Sequence, residues 1–148
     1  MQMSAKGDLA QELFKSGCNC SQAVFCAFAR DYGIDDETAK RIAAGLGGGV
    51  GRTREVCGAA TGASLVFGLA KGTSKPAEVY PHVQEFVARF KKEFGSAVCR
   101  ELLAGTGATE GGRPEERTAA YYRKRPCAEL VRFSAATLED MLSQEERR

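Results

Sequence analysis

Six cysteines, at positions 18, 20, 26, 57, 99 and 127, are the residues of this sequence best equipped for chemistry. The thiolate, not the thiol, is the nucleophile and the metal ligand, so the question is which of the six are placed to lose a proton. No C-x-x-C occurs, which leaves out thioredoxin-type and zinc-finger arrangements. Cys18 and Cys20 form only a C-x-C, too little for a zinc ribbon. With a single histidine, His82, any metal site would be built mainly from sulfur. His82 beside Pro81 is expected at the surface without a role, and no Ser/His/Asp grouping or pair of carboxylates stands out.

The elements that position these thiols are helical almost throughout. Leu9, Leu13 and Phe14 share one side of a helix over 4–16, which Gly17 stops. Asn19 caps a second, over 20–32, whose Cys20, Ala23, Val24, Ala27 and Phe28 follow the spacing of a core stripe. Asp35 caps a third carrying Ala39, Ile42, Ala43 and Leu46. The run from Cys57 to Ala70 carries no charge and is apolar or small on every face, too short to span a bilayer and right for a buried central helix over 55–71. Its Gly58 and Gly62 lie one turn apart and would let another backbone come close. Val79, Val83, Phe86, Val87, Phe90 and Phe94 form one stripe of the next helix, which Pro81 either starts or kinks. Ser96 caps a short helix through Leu103, residues 104–118 read as a surface loop, and Pro126 starts a final helix. Its Cys127, Leu130, Val131, Ser134, Ala135, Leu138 and Met141 share a face. No alternating strand is found. The expectation is one all-α domain over 1–148, a compact bundle of six or seven helices, with frayed ends at 1–5 and 143–148.

Overlaying the cysteines on these helices singles out four. Cys20 follows the Asn19 cap, Cys57 follows the glycine-rich loop, Cys99 lies three residues after Ser96, and Cys127 follows Pro126. All four fall in the first turn of a helix, where unpaired N–H groups and about half a positive charge favour thiolate. Arg52 and Arg54 precede Cys57, Arg100 follows Cys99, and Arg123, Lys124 and Arg125 precede Cys127. If the four helix starts converge, four activated sulfurs share one pocket. Cys18 and Cys26 read as core residues, because cysteine is also a small hydrophobe.

Gly45–Gly51, GLGGGVG, matches neither G-x-x-x-x-G-K-[ST] nor the register of G-x-G-x-x-G. Its glycines let the chain pass tightly over the buried helix, and Gly49, Gly51 and Arg52 could hold an anion ahead of that helix. The YYRKR run at 121–125 reads as solvated surface. A net charge of +2 argues against a nucleic-acid surface. The first residues lack the apolar core of a secretion signal, so a reducing cytoplasm is expected, where cysteines serve metals or redox chemistry more often than staples.

The stretches GCNCSQAVFCAF, GGGVGRTREVCGAATGASLVFGL, EFGSAVCREL and KRPCAELVRFSA, in that order, resemble the redox-active proteins named for their C_GCAxxG_C_C cysteine pattern. The resemblance covers residues 16–140, with Val56 before Cys57 and Gly58 after it departing from the named motif. It implies that the family cysteines are Cys20, Cys57, Cys99 and Cys127, and that their chemistry is redox. Three readings stand. The first is a thiol-dependent oxidoreductase, exchanging thiol for disulfide or passing electrons. There a thiolate such as Cys57 attacks an oxidant or the disulfide of a redox partner protein, and a second cysteine resolves it. The second is a metal or iron–sulfur cofactor on the same four thiolates. The third is a non-catalytic interaction module with core cysteines. No membrane or nucleic-acid partner is expected, and the oligomeric state, a homo-oligomer included, is open.

Overall fold

The computed structural model describes residues 3–146. Ser4 caps α1 (Ala5–Lys15), its Oγ accepting from the Gly7 N–H at 2.9 Å. Asn19 and Gln22 form a reciprocal capping box at the start of α2 (Cys20–Ala29), and Asp35 accepts from the Thr38 N–H at the start of α3 (Asp36–Ala43). Next come α4 (Gly58–Lys71), closed by a left-handed Gly72, and α5 (Pro76–Phe94). The one-turn α6 (Cys99–Leu102), α7 (Ala119–Lys124) and α8 (Cys127–Glu146) complete the set. The fold is all-α, with no strand among the described residues, and the segment 104–118 is irregular. Of the ends expected to fray, Ser4 is buried and α8 runs to Glu146, while 1–2 and 147–148 lie outside the described residues.

The centre is shared by two helices. α4 buries seven residues and packs against α2 and α5, but α2 buries eight of its ten. The glycines foreseen on α4 explain how the two meet. A Cβ on Gly62 would stand 2.7 Å from the Ser21 carbonyl oxygen and 3.1 Å from its Cα, and one on Gly58 would stand 3.2 Å from the Cys20 Cβ. Only bare Cα atoms permit that approach. α8 lies across α1, α2 and α4, and inserts Leu130, Val131, Ala135 and Leu138 between them. With Phe14, Phe25, Phe67, Phe86 and Phe90 these side chains are at most 2% exposed, and burial of each one larger than Ala135 is worth ~1.5–3 kcal/mol.

Several expectations are corrected. Leu9 and Ile42 turn outward at 39% and 46% exposure, while Ala10, Ala39 and Ala43 of the same helices are buried. Pro76, not Pro81, occupies the first position of α5. Pro81 sits inside the helix on an exposed side, where the Val79, Val83, Phe86 and Phe90 stripe outweighs one lost hydrogen bond. Ser96 does not cap α6. Its Oγ accepts from the Val98 N–H in a turn, and the helix begins at Cys99.

Two irregular segments shape the site. Residues 54–57 and 97–100 run antiparallel around a Val56–Val98 bridge. The Cys57 N–H donates to the Ala97 carbonyl at 2.8 Å and the Arg100 N–H to the Arg54 carbonyl at 3.0 Å. Ahead of them, Gly48 to Arg52 all have positive φ, between 59° and 71°, and the Gly51 N–H donates to the Gly47 carbonyl. This is a left-handed turn. Glycine adopts it freely, but Val50, Arg52 and the nearby Arg54 (φ 61°) do so at a cost of ~1–2 kcal/mol each.

Candidate functional site

Four segments deliver the four selected cysteines to one place. Cys20, Cys99 and Cys127 are the first residues of α2, α6 and α8, and Cys57 is the residue preceding α4. All four line a single cavity of about 60 Å³, together with Arg54, Arg117, Tyr121 and Arg125. Cys57, Cys99 and Cys127 are 4–7% exposed, Cys20 is half-buried, and all are free thiols. Each close approach has a local cause. Gly58 admits Cys20, and at Gly49 a Cβ would come within 2.6 Å of the Cys99 Cβ, so that glycine clears room for Cys99 more than for the helix behind it. The antiparallel clip around Val56 and Val98 fixes Cys57 and Cys99 relative to each other. Cys18 and Cys26 are buried but do not line this cavity.

The electrostatics separate the four. Cys20 and Cys127 act most strongly on each other. The Cys20 thiol holds Cys127 below the ordinary thiol range against the effect of burial, with help from Arg125, Arg117 and Arg54. The same pairing, with burial and the neighbouring sulfurs, pushes Cys20 well up. Cys57 is pushed up to about 12 by burial, and the N–H groups of Ala59 and Ala60 only partly offset this. Cys57, given above as an example of the attacking thiolate, is thus held as a thiol: the start of α4 is there, but desolvation outweighs it, and of the two it is Cys127 that is lowered. Cys99 receives the Arg54 Nη1–H at 3.6 Å.

Arginines close the site from one side. Of the residues offered as an anion cradle, Gly51 and Arg52 line a second, larger cavity beside the thiols, whereas Gly49 lines the thiol cavity, and Arg52 is also engaged by the chain. Its Nε donates to the Gly111 carbonyl at 2.7 Å and its Nη2 to Thr109, so it pins the 104–118 segment over the site. Arg54, 4% exposed, donates to the Thr109 carbonyl at 2.8 Å, and Arg117 to the carbonyls of Phe14 and Cys18. Glu115 pairs with Arg52 at 3.6 Å and closely with Arg125. Arg54, Arg117, Tyr121 and Arg125 are the site residues that sequence spacing does not single out. Arg54 and Arg125 carry a signal, each lying within three residues of a first-turn cysteine, whereas Arg117 sits in a stretch that reads as plain surface. Tyr121 and Arg125 also correct the reading of the YYRKR run as solvated, since the Arg125 side chain is 7% exposed and stacks over Tyr121 at 4.4 Å. His82, half-buried, stacks on Phe67 away from the cysteines.

The four thiols do not fit a resident metal or iron–sulfur cofactor. Among the described residues no group of three or more His, Cys, Asp and Glu side chains is placed to hold a metal ion. What the arrangement provides is four free thiols on one small cavity with Arg54, Arg117 and Arg125 around it, Cys127 lowered and Cys20 raised beside each other. None of the described helices is long and apolar enough to cross a membrane.

No curated protein and no solved structure shows significant similarity to the chain. One family model matches, over residues 18–141, from Cys18 ahead of α2 to Met141 in α8, and therefore takes in all four cysteines of the cavity. The chain thus belongs to the family described as "putative redox-active protein (C_GCAxxG_C_C)".

Proposed function

We propose that this protein is a thiol–disulfide exchange protein whose working pair is Cys127 and Cys20. The observation that carries this reading is that Cys20 and Cys127 line one small cavity with Arg54, Arg117 and Arg125, and that Cys127 is held below the ordinary thiol range there. Cys127 is the attacking thiolate. It forms a bond to one sulfur of a disulfide and expels the other as a thiolate. Cys20, its proton passed to that leaving group, then attacks the Cys127 sulfur and releases the second half of the substrate as a thiolate. The protein pair loses two electrons and becomes a disulfide, and the substrate disulfide gains them. Cys57 and Cys99, clipped together behind the pair, stand where they could pass the oxidation onward, but Cys57 begins as a buried thiol.

The test is a peptide map of the reduced protein after oxidation with bis(2-hydroxyethyl) disulfide and alkylation of the remaining thiols. The expected product is one intramolecular disulfide joining the Cys20 and Cys127 peptides, with Cys18 and Cys26 alkylated. No intramolecular disulfide among Cys20, Cys57, Cys99 and Cys127, or one that omits Cys127, overturns the reading.

A further inference from the structure

A second cavity, of about 300 Å³, adjoins the thiols and shares Arg54, Arg117, Tyr121 and Arg125 with the first while adding Arg52 and Glu115. Its charges are unbalanced. Glu115 is the one carboxylate against Arg52, Arg54 and Arg125, and Arg117 is held by backbone carbonyls and by the faces of Phe14 and Tyr121 instead of an acid. Arg54 is the telling residue. Its Nε bonds Thr109 and its Nη1 reaches the Cys99 sulfur, but its Nη2 is buried with no hydrogen-bond partner, and Glu115 stands off at 4.0 Å. An unsatisfied charged N–H is costly to bury. The backbone adds to that cost by holding Arg54 at φ 61°. The fold thus keeps, in a residue that lines this chamber, a strained backbone and one guanidinium nitrogen with no hydrogen bond.

Size narrows what answers it. The thiol cavity has room for a few water molecules or one small group, while the chamber has the volume of a small organic ligand. A guanidinium fork matches a carboxylate. We propose that the arginine chamber binds the carboxylate end of a small anionic disulfide, seating its sulfur–sulfur bond against Cys127. This rests on the exchange reading above. The Cys127 thiolate and Cys20 thiol together with R–S–S–R give the Cys20–Cys127 disulfide, one R–SH carrying the Cys20 proton, and one R–S⁻. Two electrons move from the protein pair to the substrate sulfurs.

Three disulfides that differ mainly in charge test the proposal: 3,3′-dithiodipropionate, bis(2-hydroxyethyl) disulfide and cystamine. Each rate of oxidation of the reduced protein is divided by the rate of the same disulfide with a free small thiol, which removes intrinsic reactivity. At low salt the anionic compound is expected to be favoured about tenfold or more over the neutral one and further over the cation. Arg54→Gln should remove most of that preference. Glu115→Gln, on the exposed segment, should increase it, and serves even if the Arg54 variant fails to fold. Dithiodipropionate is also titrated by calorimetry into the Cys20→Ser/Cys127→Ser protein, which cannot react. Equal normalised rates with no binding overturn the chamber while leaving exchange intact. Binding without oxidation of the native protein keeps the chamber and overturns exchange.

Discussion

Replacing Gly62 and Gly68 by alanine, one at a time, makes opposite predictions for the same substitution in the same helix. Both lie inside α4. At Gly68 an added Cβ meets nothing within 4 Å, so the variant should gain only the helical preference of alanine over glycine, ~0.8 kcal/mol. At Gly62 the same methyl would lie 2.7 Å from the Ser21 carbonyl oxygen and 3.1 Å from the Ser21 Cα. Those are backbone atoms of α2 and cannot rotate away, so the helices must part. Overpacking of this kind costs ~1–3 kcal/mol, and here its upper half applies because no side chain can give. After the propensity gain, Gly62→Ala should lose ~1–2 kcal/mol. For a chain of this length that is ~3–6 °C of melting temperature, against a rise of ~2 °C for Gly68→Ala. Urea unfolding followed by circular dichroism measures both, with an unchanged dependence on denaturant showing that only stability moved. A Gly62→Ala protein as stable as the wild type would refute the backbone contact. With it would go the account of how Cys20 is brought beside the other thiols.

Two further outcomes follow from the site. Iodoacetamide labelling against pH should show Cys127 reacting at lower pH than either Cys20 or Cys57. A lowered pKa leaves the thiolate populated down to lower pH, whereas Cys57, near 12, remains a thiol through neutrality. Cys20→Ala removes the Cys20 thiol and should move the Cys127 labelling curve to higher pH; an unmoved curve would mean the arginines alone set it. In the left-handed turn, Val50 is 41% exposed at φ 67°, so its side chain is not needed for the core. Val50→Gly should stabilise the protein by ~0.5–1 kcal/mol, read as a higher urea midpoint.

Much of the fold was legible because helix ends carry local chemistry. Asn19 and Asp35 make the hydrogen bonds their types imply, and Gly33, Gly72 and Gly95 take left-handed conformations where the helical pattern stops. The choice of four cysteines among six follows from the same signal, since a first-turn position is a matter of sequence distance from a cap. What resisted reading depends on neighbours far along the chain. Whether α4 or the burial around it decides the Cys57 proton is a contest between a helix end and desolvation, and only the packed structure weighs them. α7 escaped because it is short and follows a glycine-rich stretch. Arg117 escaped because its partners, the carbonyls of Phe14 and Cys18, lie about a hundred residues away.

The docking of α8 on α1 and α2 ties the site to the history of the chain. Cys20 emerges early in synthesis and meets its partner only after a further hundred or so residues have been made and α8 has packed. Until then the nascent protein carries cysteines but no activated pair, and Cys20 has no neighbour to bond. The same span makes the oxidation state a structural variable. A covalent link between residues 20 and 127 would close a loop of about 100 residues, removing unfolded-state freedom worth ~4–5 kcal/mol. Oxidised and reduced forms would then differ in lifetime as well as in chemistry, and a cell's unfolding and degradation machinery could tell them apart.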